Sequence, residues 1–160
     1  MSLDSPVREY RTLYAGVPAG VAAVCAELGG APDGMAASSL VPVSLDPPLL
    51  SFCVQKTSRT WPRLRYAPHL GVSVLAHDQE PACAALSARE GDRFAGLAWH
   101  SHPAGGVFIQ GASAHFDCTV ERELDAGDHL IVLLRVHDGR RADVSPLIFH
   151  DSSYRTIART

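Results

Sequence analysis

The stretch spanning residues 34–60, GMAASSLVPVSLDPPLLSFCVQKTSRT, constrains the fold most. It opens on Pro32-Asp33-Gly34, a turn signal, and holds two apolar, β-branched segments on either side of Asp46-Pro47-Pro48. Consecutive prolines interrupt a helix or an inner strand, so the pattern predicts two short strands meeting at the prolines. The first carries small and hydroxyl residues: Ala36, Ala37, Ser38 and Ser39. The second runs into Lys56-Thr57-Ser58-Arg59-Thr60, a loop of hydroxyls and cations. Small side chains let a flat ligand approach the backbone, while hydroxyls and a lysine hold phosphate. The combination points to a mononucleotide ligand.

The rest of the chain continues in short segments. Ser5-Pro6 predicts a helix over residues 5–13 with Ser5 as N-cap. Residues 21–26 and 35–44 read as a hairpin whose connection, through Gly29, Gly30 and Pro32-Asp33-Gly34, is too long for a two-residue turn. Residues 49–54 are almost continuously apolar and read as a strand buried on both faces. Thr60 stands as N-cap to a short helix at residues 61–64. A strand over residues 70–75, a helix over 79–89 with Pro81 near its start, and a turn at Gly91-Asp92-Arg93-Phe94 follow. Residues 95–106 read as irregular.

Residues 114–120 alternate cleanly, with Ala114, Phe116, Cys118 and Val120 on one face and His115, Asp117 and Thr119 on the other. A turn at Gly127-Asp128 leads to a strand over residues 129–136, and residues 146–150 add a last strand before the tail around Tyr154. This makes six or seven strands and two or three short helices. Strands and helices do not alternate regularly, so a mostly antiparallel β-barrel fits better than a doubly wound parallel sheet.

At 160 residues and 46% apolar, the chain is expected to form one domain over residues 1–160 with a real core. The formal net charge of −3 and the lack of a basic block argue against a nucleic-acid partner. Apolar runs are too short to cross a bilayer, and the N-terminus has no signal-peptide pattern, so a cytoplasmic protein is expected. Cys25, Cys53, Cys83 and Cys118 are widely spaced without a C-x-x-C pair, and read as reduced and structural.

Motifs for a dinucleotide fingerprint, a P-loop and a hydrolase serine elbow are absent. His100-x-His102 lacks a third ligand at a recognisable spacing, so it reads as an exposed loop and no metal is expected. His115 is expected to face solvent. His129 follows Gly127-Asp128 at the mouth of an apolar strand, where an imidazole points into a barrel-end cleft or satisfies local hydrogen bonds.

The chain resembles the small flavin reductase family, the reductase components of two-component flavin monooxygenases. The matching pieces are Gly16-x-Pro18-x-Gly20-Val21, Gly34-Met35-x-Ala37-Ser38-Ser39 and Val43-Ser44-Leu45-x-Pro47-Pro48-Leu49. They continue with Cys53-Val54-x-x-x-Ser58-x-Thr60, Val72-x-Val74-Leu75-x-x-x-Gln79, Gly91-Asp92-Arg93-Phe94, Gly127-Asp128-His129 and Pro146-Leu147. Their order and spacing, more than any single piece, carry the likeness.

The resemblance implies an FMN-binding split barrel, an antiparallel Greek-key barrel that forms homodimers. It implies that Met35, Ala36, Ala37, Ser38 and Ser39 meet the flavin ring and ribityl chain, that Cys53, Val54, Gln55 and Lys56 line the cofactor, and that Ser58 and Thr60 hold its phosphate. Ser73, Val74, Leu75 and Gln79 would flank the ring, with Phe94 and His129 near the nicotinamide. Ala36 stands where the family commonly has threonine, Ser73 where it has asparagine, and Leu133-Leu134 where it has a glycine.

The implied activity is NAD(P)H:flavin oxidoreduction, with FMN or FAD reduced by hydride transfer and handed to a separate oxygenase. The cofactor carries such chemistry, so no protein triad is required. A non-catalytic flavin carrier, store or redox sensor is the alternative on the same fold.

Overall fold

Where the chain turns decides how this barrel closes. The computed structural model describes residues 5–158; residues 1–4, on which the signal-peptide reading partly rests, lie outside the described residues. Helix α1 (Ser5–Tyr14) begins at Ser5 itself, one position earlier than its reading as N-cap. Strands β1 (Ala19–Gly20), β2 (Ala22–Leu28) and β3 (Ala31–Ala37) follow.

The β2–β3 connection corrects the sequence reading. Leu28 pairs with Ala31, so the turn is only Gly29-Gly30, with φ of 59° and 82°. Two successive left-handed residues suit the right-handed twist of a hairpin, and glycine adopts them without strain. Pro32-Asp33-Gly34 lies inside β3, paired with residues 25–27 of β2. Proline is tolerated there because β3 is an edge strand.

The segment read as one strand over residues 35–44 is divided between β3 and β4 (Val41–Leu45). These two occupy opposite edges of a seven-stranded sheet of order β3-β2-β6-β9-β10-β5-β4. Its other members are β5 (Pro48–Gln55), β6 (Leu70–Val74), β9 (Ala114–Ala126) and β10 (His129–Arg141), and every pairing is antiparallel. Residues 38–40 therefore carry the chain from one edge to the other, which curls the sheet into a barrel with its split at that corner.

Strand β5 is not buried on both faces as its composition suggested. Leu50, Phe52 and Val54 are 5, 0 and 2% exposed, while Leu49, Ser51 and Cys53 between them are half-buried. The inward side chains join Val24, Val72, Cys118, Val132 and Leu134 in the barrel core, capped by Trp61 and Leu64 of helix α2 (Trp61–Leu64). Phe52 and Trp61 meet edge to face at 5.3 Å. Each large side chain buried this way contributes about 1.5–3 kcal/mol before entropy is counted.

A second core lies outside the barrel wall. There Val21, Ala23, Cys25 and Leu75 pack with Ala82, Cys83 and Leu86 of helix α3 (Glu80–Ser87) and with Phe94, Val107, Ile109 and Leu147. The supposedly irregular residues 95–106 contribute β7 (Trp99–Ser101), which pairs with β8 (Val107–Ile109) over this wall. Strand β11 (Leu147–His150) pairs with β1 and with β12 (Ser153–Thr156), so the Tyr154 tail is a strand. Short strands of this kind leave little alternation to read. No helix among the described residues is long and apolar enough to cross a membrane.

Candidate functional site

The corner at residues 38–40 is where the small-residue stretch becomes accessible. Along β3, Ala37 points into the barrel core and Ala36 toward the outer layer. Ala36, Ala37 and Ser38 line a cleft of about 190 Å³, faced by Val21, Cys83, Ser87, Phe149 and Tyr154. Small residues at 36–38 keep this wall low, so a flat group reaches the main chain. The opposite wall is aromatic: Phe149 and Tyr154 meet at 5.6 Å, and the Tyr154 hydroxyl donates to Cys83 Sγ at 3.2 Å. That bond, with burial, raises the Tyr154 phenol to about 12.

Ser39 turns the other way. Its hydroxyl accepts the Cys53 N–H at 2.8 Å and donates to the Cys53 carbonyl at 3.2 Å. Two residues along β5, Gln55 pairs with His129 at the start of β10. The Lys56 N–H donates to the Asp128 carbonyl at 3.0 Å, and Lys56 Nζ lies 3.3 Å from Asp125. His129 Nδ1 donates to Asp128 Oδ1 at 2.7 Å, which fixes the ring and holds the Asp128 carboxyl below its usual value. Ser39 thus ties the chain next to the Ala36–Ser38 cleft to Cys53 of β5, whose end pairs with His129.

The loop after β5 has its hydroxyls placed differently from the sequence reading. Thr60 holds the N-cap position of α2 as read, but its side chain makes no cap bond; Ser58 Oγ accepts the N–H of Trp61 at 3.1 Å instead. Thr60 is 4% exposed, and its Oγ1 accepts a bond from Arg93 Nη1 at 2.9 Å. Arg93 also donates to the carbonyls of Gly34 (2.9 Å) and Ala88 (2.7 Å), tying β3, the loop and the end of α3 together. Both hydroxyls accept one bond each and keep a proton to donate. No described hydrogen bond uses the Thr57 or Arg59 backbone N–H. This donor set fits an anion such as phosphate.

A profile for the flavin reductase like domain matches residues 14–158. The chain belongs to the flavin reductase-like family. A reductase subunit of a flavin-dependent monooxygenase, HsaB from Rhodococcus jostii, is 36% identical over 94% of this chain and 77% of its own. The FMN reductase (NADH) SmoA of Agrobacterium fabrum is 33% identical over 95% and 87%. The Streptomyces globisporus NADH:FAD oxidoreductase SgcE6, solved in complex with NAD and FAD fragments, superposes with a TM-score of 0.90. It is 32% identical and covers 99% of this chain and 96% of that one. The antiparallel barrel fold expected from the resemblance is that of this family.

In this flavin reductase-like chain the remaining residues singled out in the sequence are structural in their visible contacts. Val54 and Leu75 are buried in the two cores, and Met35 packs against the barrel core. Phe94 is 6% exposed and stands edge to face with Trp99 at 6.2 Å. Ser73 is fully buried and its Oγ accepts the Ile109 N–H at 3.0 Å; Val74 beside it is half-buried. Gln79 clamps two loops, accepting from the Ala76 N–H at 2.9 Å and donating to the Gln110 carbonyl at 2.7 Å.

Sequence reasoning missed Arg93, Cys83, Phe149 and Tyr154. Arg93 lies in the Gly91-Asp92-Arg93-Phe94 turn, where nothing local distinguishes it from a solvated cation. Tyr154 sits in a tail without periodicity.

All four cysteines are unpaired as expected, and burial pushes the thiols of Cys25 and Cys118 upward, the latter to about 12. No group of three or more potential metal ligands occurs among the described residues.

Proposed function

We propose that this flavin reductase takes its hydride from NADH and delivers reduced FMN or FAD to a separate oxygenase, as one domain over residues 1–160 acting in the cytoplasm. The observation that carries the reading is the small-residue cleft at Ala36–Ser38, tied through Ser39 and Cys53 to the strand end that pairs with His129 and runs into the hydroxyl loop. Small residues at 36–38 admit the flat flavin ring, and Ser58, Thr60 and the free loop N–H groups hold its phosphate. Bound flavin supplies the hydride acceptor, with reduced nicotinamide as donor. His129, its ring fixed by Asp128, orients the nicotinamide by hydrogen bonding and transfers no proton. Nicotinamide specificity for NADH is favoured by the names of SmoA and SgcE6, and the oxygenase partner by that of HsaB.

A homodimer is part of the same reading. Edge strand β4 exposes Val41, Val43 and Leu45 at 53, 52 and 97%, and α1 exposes Val7, Tyr10, Leu13 and Tyr14. Apolar surface of this extent at an unpaired sheet edge favours burial against a second copy.

The test is oxidation of NADH and of NADPH with FMN, FAD or no added flavin, followed by the loss of reduced-nicotinamide absorbance. Flavin-dependent oxidation is expected, with NADH preferred. Flavin bound without oxidation would sink the reductase reading and leave a carrier or sensor.

A further inference from the structure

Two guanidinium groups have no part in the chemistry so far, and their surroundings differ. Arg140 lies at the far end of the β9–β10 ladder, on a cleft of about 310 Å³. His100 and His102, expected in an exposed loop, and His115, expected in solvent, are half-buried together there. Their rings fill the space themselves: His115 and His100 pack on Phe108 at 4.9 and 5.6 Å and on each other at 5.8 Å. Arg140 is exposed, and two carboxylates, Asp117 and Asp138, share its cleft. A cation so placed selects no particular ligand.

Arg93 is half-buried and held from three sides. Its Nε donates to the Ala88 carbonyl at 2.7 Å, and Nη1 donates to the Gly34 carbonyl and to Thr60 Oγ1, each at 2.9 Å. All three acceptors are neutral, and Arg93 has no ion pair among the described residues. The carboxylates beside it in the chain or across the contact are engaged elsewhere. Asp92 accepts the Phe94 N–H, and Asp33, next to Gly34, is paired with Arg63.

No described hydrogen bond uses Nη2 of Arg93. Among the described residues no buried side-chain nitrogen or oxygen lacks a partner, so Nη2 reaches solvent. Drawing a charge partly out of water without a counter-charge is costly. A guanidinium fixed beforehand loses little freedom when an anion arrives, and its planar fork matches phosphate. The other cations near the hydroxyl loop are less suited: Lys56 lies 3.3 Å from Asp125, Arg63 is bound to Asp33, and Arg59 is exposed.

We propose that Arg93 is the fixed cation of the flavin-phosphate subsite and that it selects phosphorylated flavin over riboflavin. It acts through Nη2 and through Thr60, whose Oγ1 accepts from Arg93 and so keeps its own proton to donate. The inference rests on the hydroxyl loop being the phosphate site.

Dissociation constants of the full chain for FMN and for riboflavin, measured by fluorescence titration, test it. The unmodified protein should bind FMN at least about tenfold more tightly, as a hydrogen bond to a charged group gives. Arg93→Gln, which removes the charge and keeps a donor, is expected to cut that ratio by about tenfold, chiefly by weakening FMN. Arg93→Lys, which keeps the charge, should retain more of the ratio than Arg93→Gln. In the unmodified protein the Arg93 side-chain N–H resonance, assigned by its absence from Arg93→Lys, should move with FMN and stay in place with riboflavin. That readout does not depend on the Gln variant folding.

Equal weakening of both flavins by Arg93→Gln, or equal ratios in the Gln and Lys variants, would reduce Arg93 to a structural tie between β3, the loop and α3. A resonance that moves alike with both flavins would do the same. Equal affinities of the unmodified protein for FMN and riboflavin would sink the phosphate loop and Arg93 together, whereas a preference that Arg93→Gln leaves intact sinks Arg93 alone.

Discussion

The two ends of the β9–β10 ladder meet their surroundings with opposite materials. At the His129 end the contacts run through main chain and loop: the Lys56 N–H on the Asp128 carbonyl, the Ser39 hydroxyl on both main-chain groups of Cys53, and the Ser58 hydroxyl on the Trp61 N–H. At the Arg140 end the surface is side chain: three imidazoles, a phenyl ring and a guanidinium. A site built from backbone accepts whatever shape the fold gives it, so small residues are its requirement. A site built from side chains is specified by residue identity and is changed by a single substitution. One sheet carries both because its strands are long enough to separate them.

The largest expected effect separates the ends by unseating one of them. Gly71 of β6 lies directly under β8, and a Cβ there would come within 2.2 Å of the Val107 carbonyl oxygen. Gly71→Ala is expected to cost about 3 kcal/mol in urea unfolding, since the obstacle is backbone. An unchanged unfolding midpoint would mean that β8 shifts at no cost.

Next, Ser58→Ala combined with Thr60→Ala removes the loop's hydroxyls. The FMN dissociation constant should rise by at least about tenfold, as expected for two lost hydrogen bonds to a charged group. Fluorescence titration measures it, and an unaltered constant would take this loop out of the phosphate site. His129→Ala is expected to lower kcat/KM for NADH by about tenfold while leaving the FMN dissociation constant as it is. Unchanged turnover would take His129 out of the nicotinamide site.

The smallest effect is electrostatic. The bond from His129 holds the folded pKa of Asp128 below its ordinary 3.8. A depressed carboxyl stabilises the fold above its unfolded pKa, and the contribution is lost as pH falls through the folded value. Wild type should therefore lose a small increment of stability between about pH 5 and pH 2 that Asp128→Asn does not lose. The group is exposed, so the increment is slight. Parallel pH curves would show that the contact has no thermodynamic weight.

Strand identity was legible wherever a strand is long and faces a core, as in residues 114–120, whose alternation matches the observed faces of β9. The barrel class followed from the missing strand–helix alternation. What escaped was local competition between signals. Pro32-Asp33-Gly34 reads as a turn, yet Gly29-Gly30 takes the turn because only glycine meets two left-handed positions without strain.

Thr60 was legible as the N-cap of α2, but which hydroxyl bonds the first-turn N–H depends on backbone geometry that residue type does not encode. The histidine cleft was illegible for a different reason. The His100-x-His102 pair, His115 and Arg140 come from separate segments and meet because the β7–β8 hairpin lies against β9.

Ser39 occupies the register position opposite Cys53 that would extend the β4–β5 pairing beyond Val41 and Ser51. There its side chain replaces a main-chain partner, holding both the N–H and the carbonyl of Cys53. A ladder rung made from a rotatable hydroxyl opens by turning one bond, whereas its neighbours open only when strands part. The barrel thus has a latch at the lip of the small-residue cleft. Cys53 is the amide where hydrogen exchange would register it, ahead of the rest of β5.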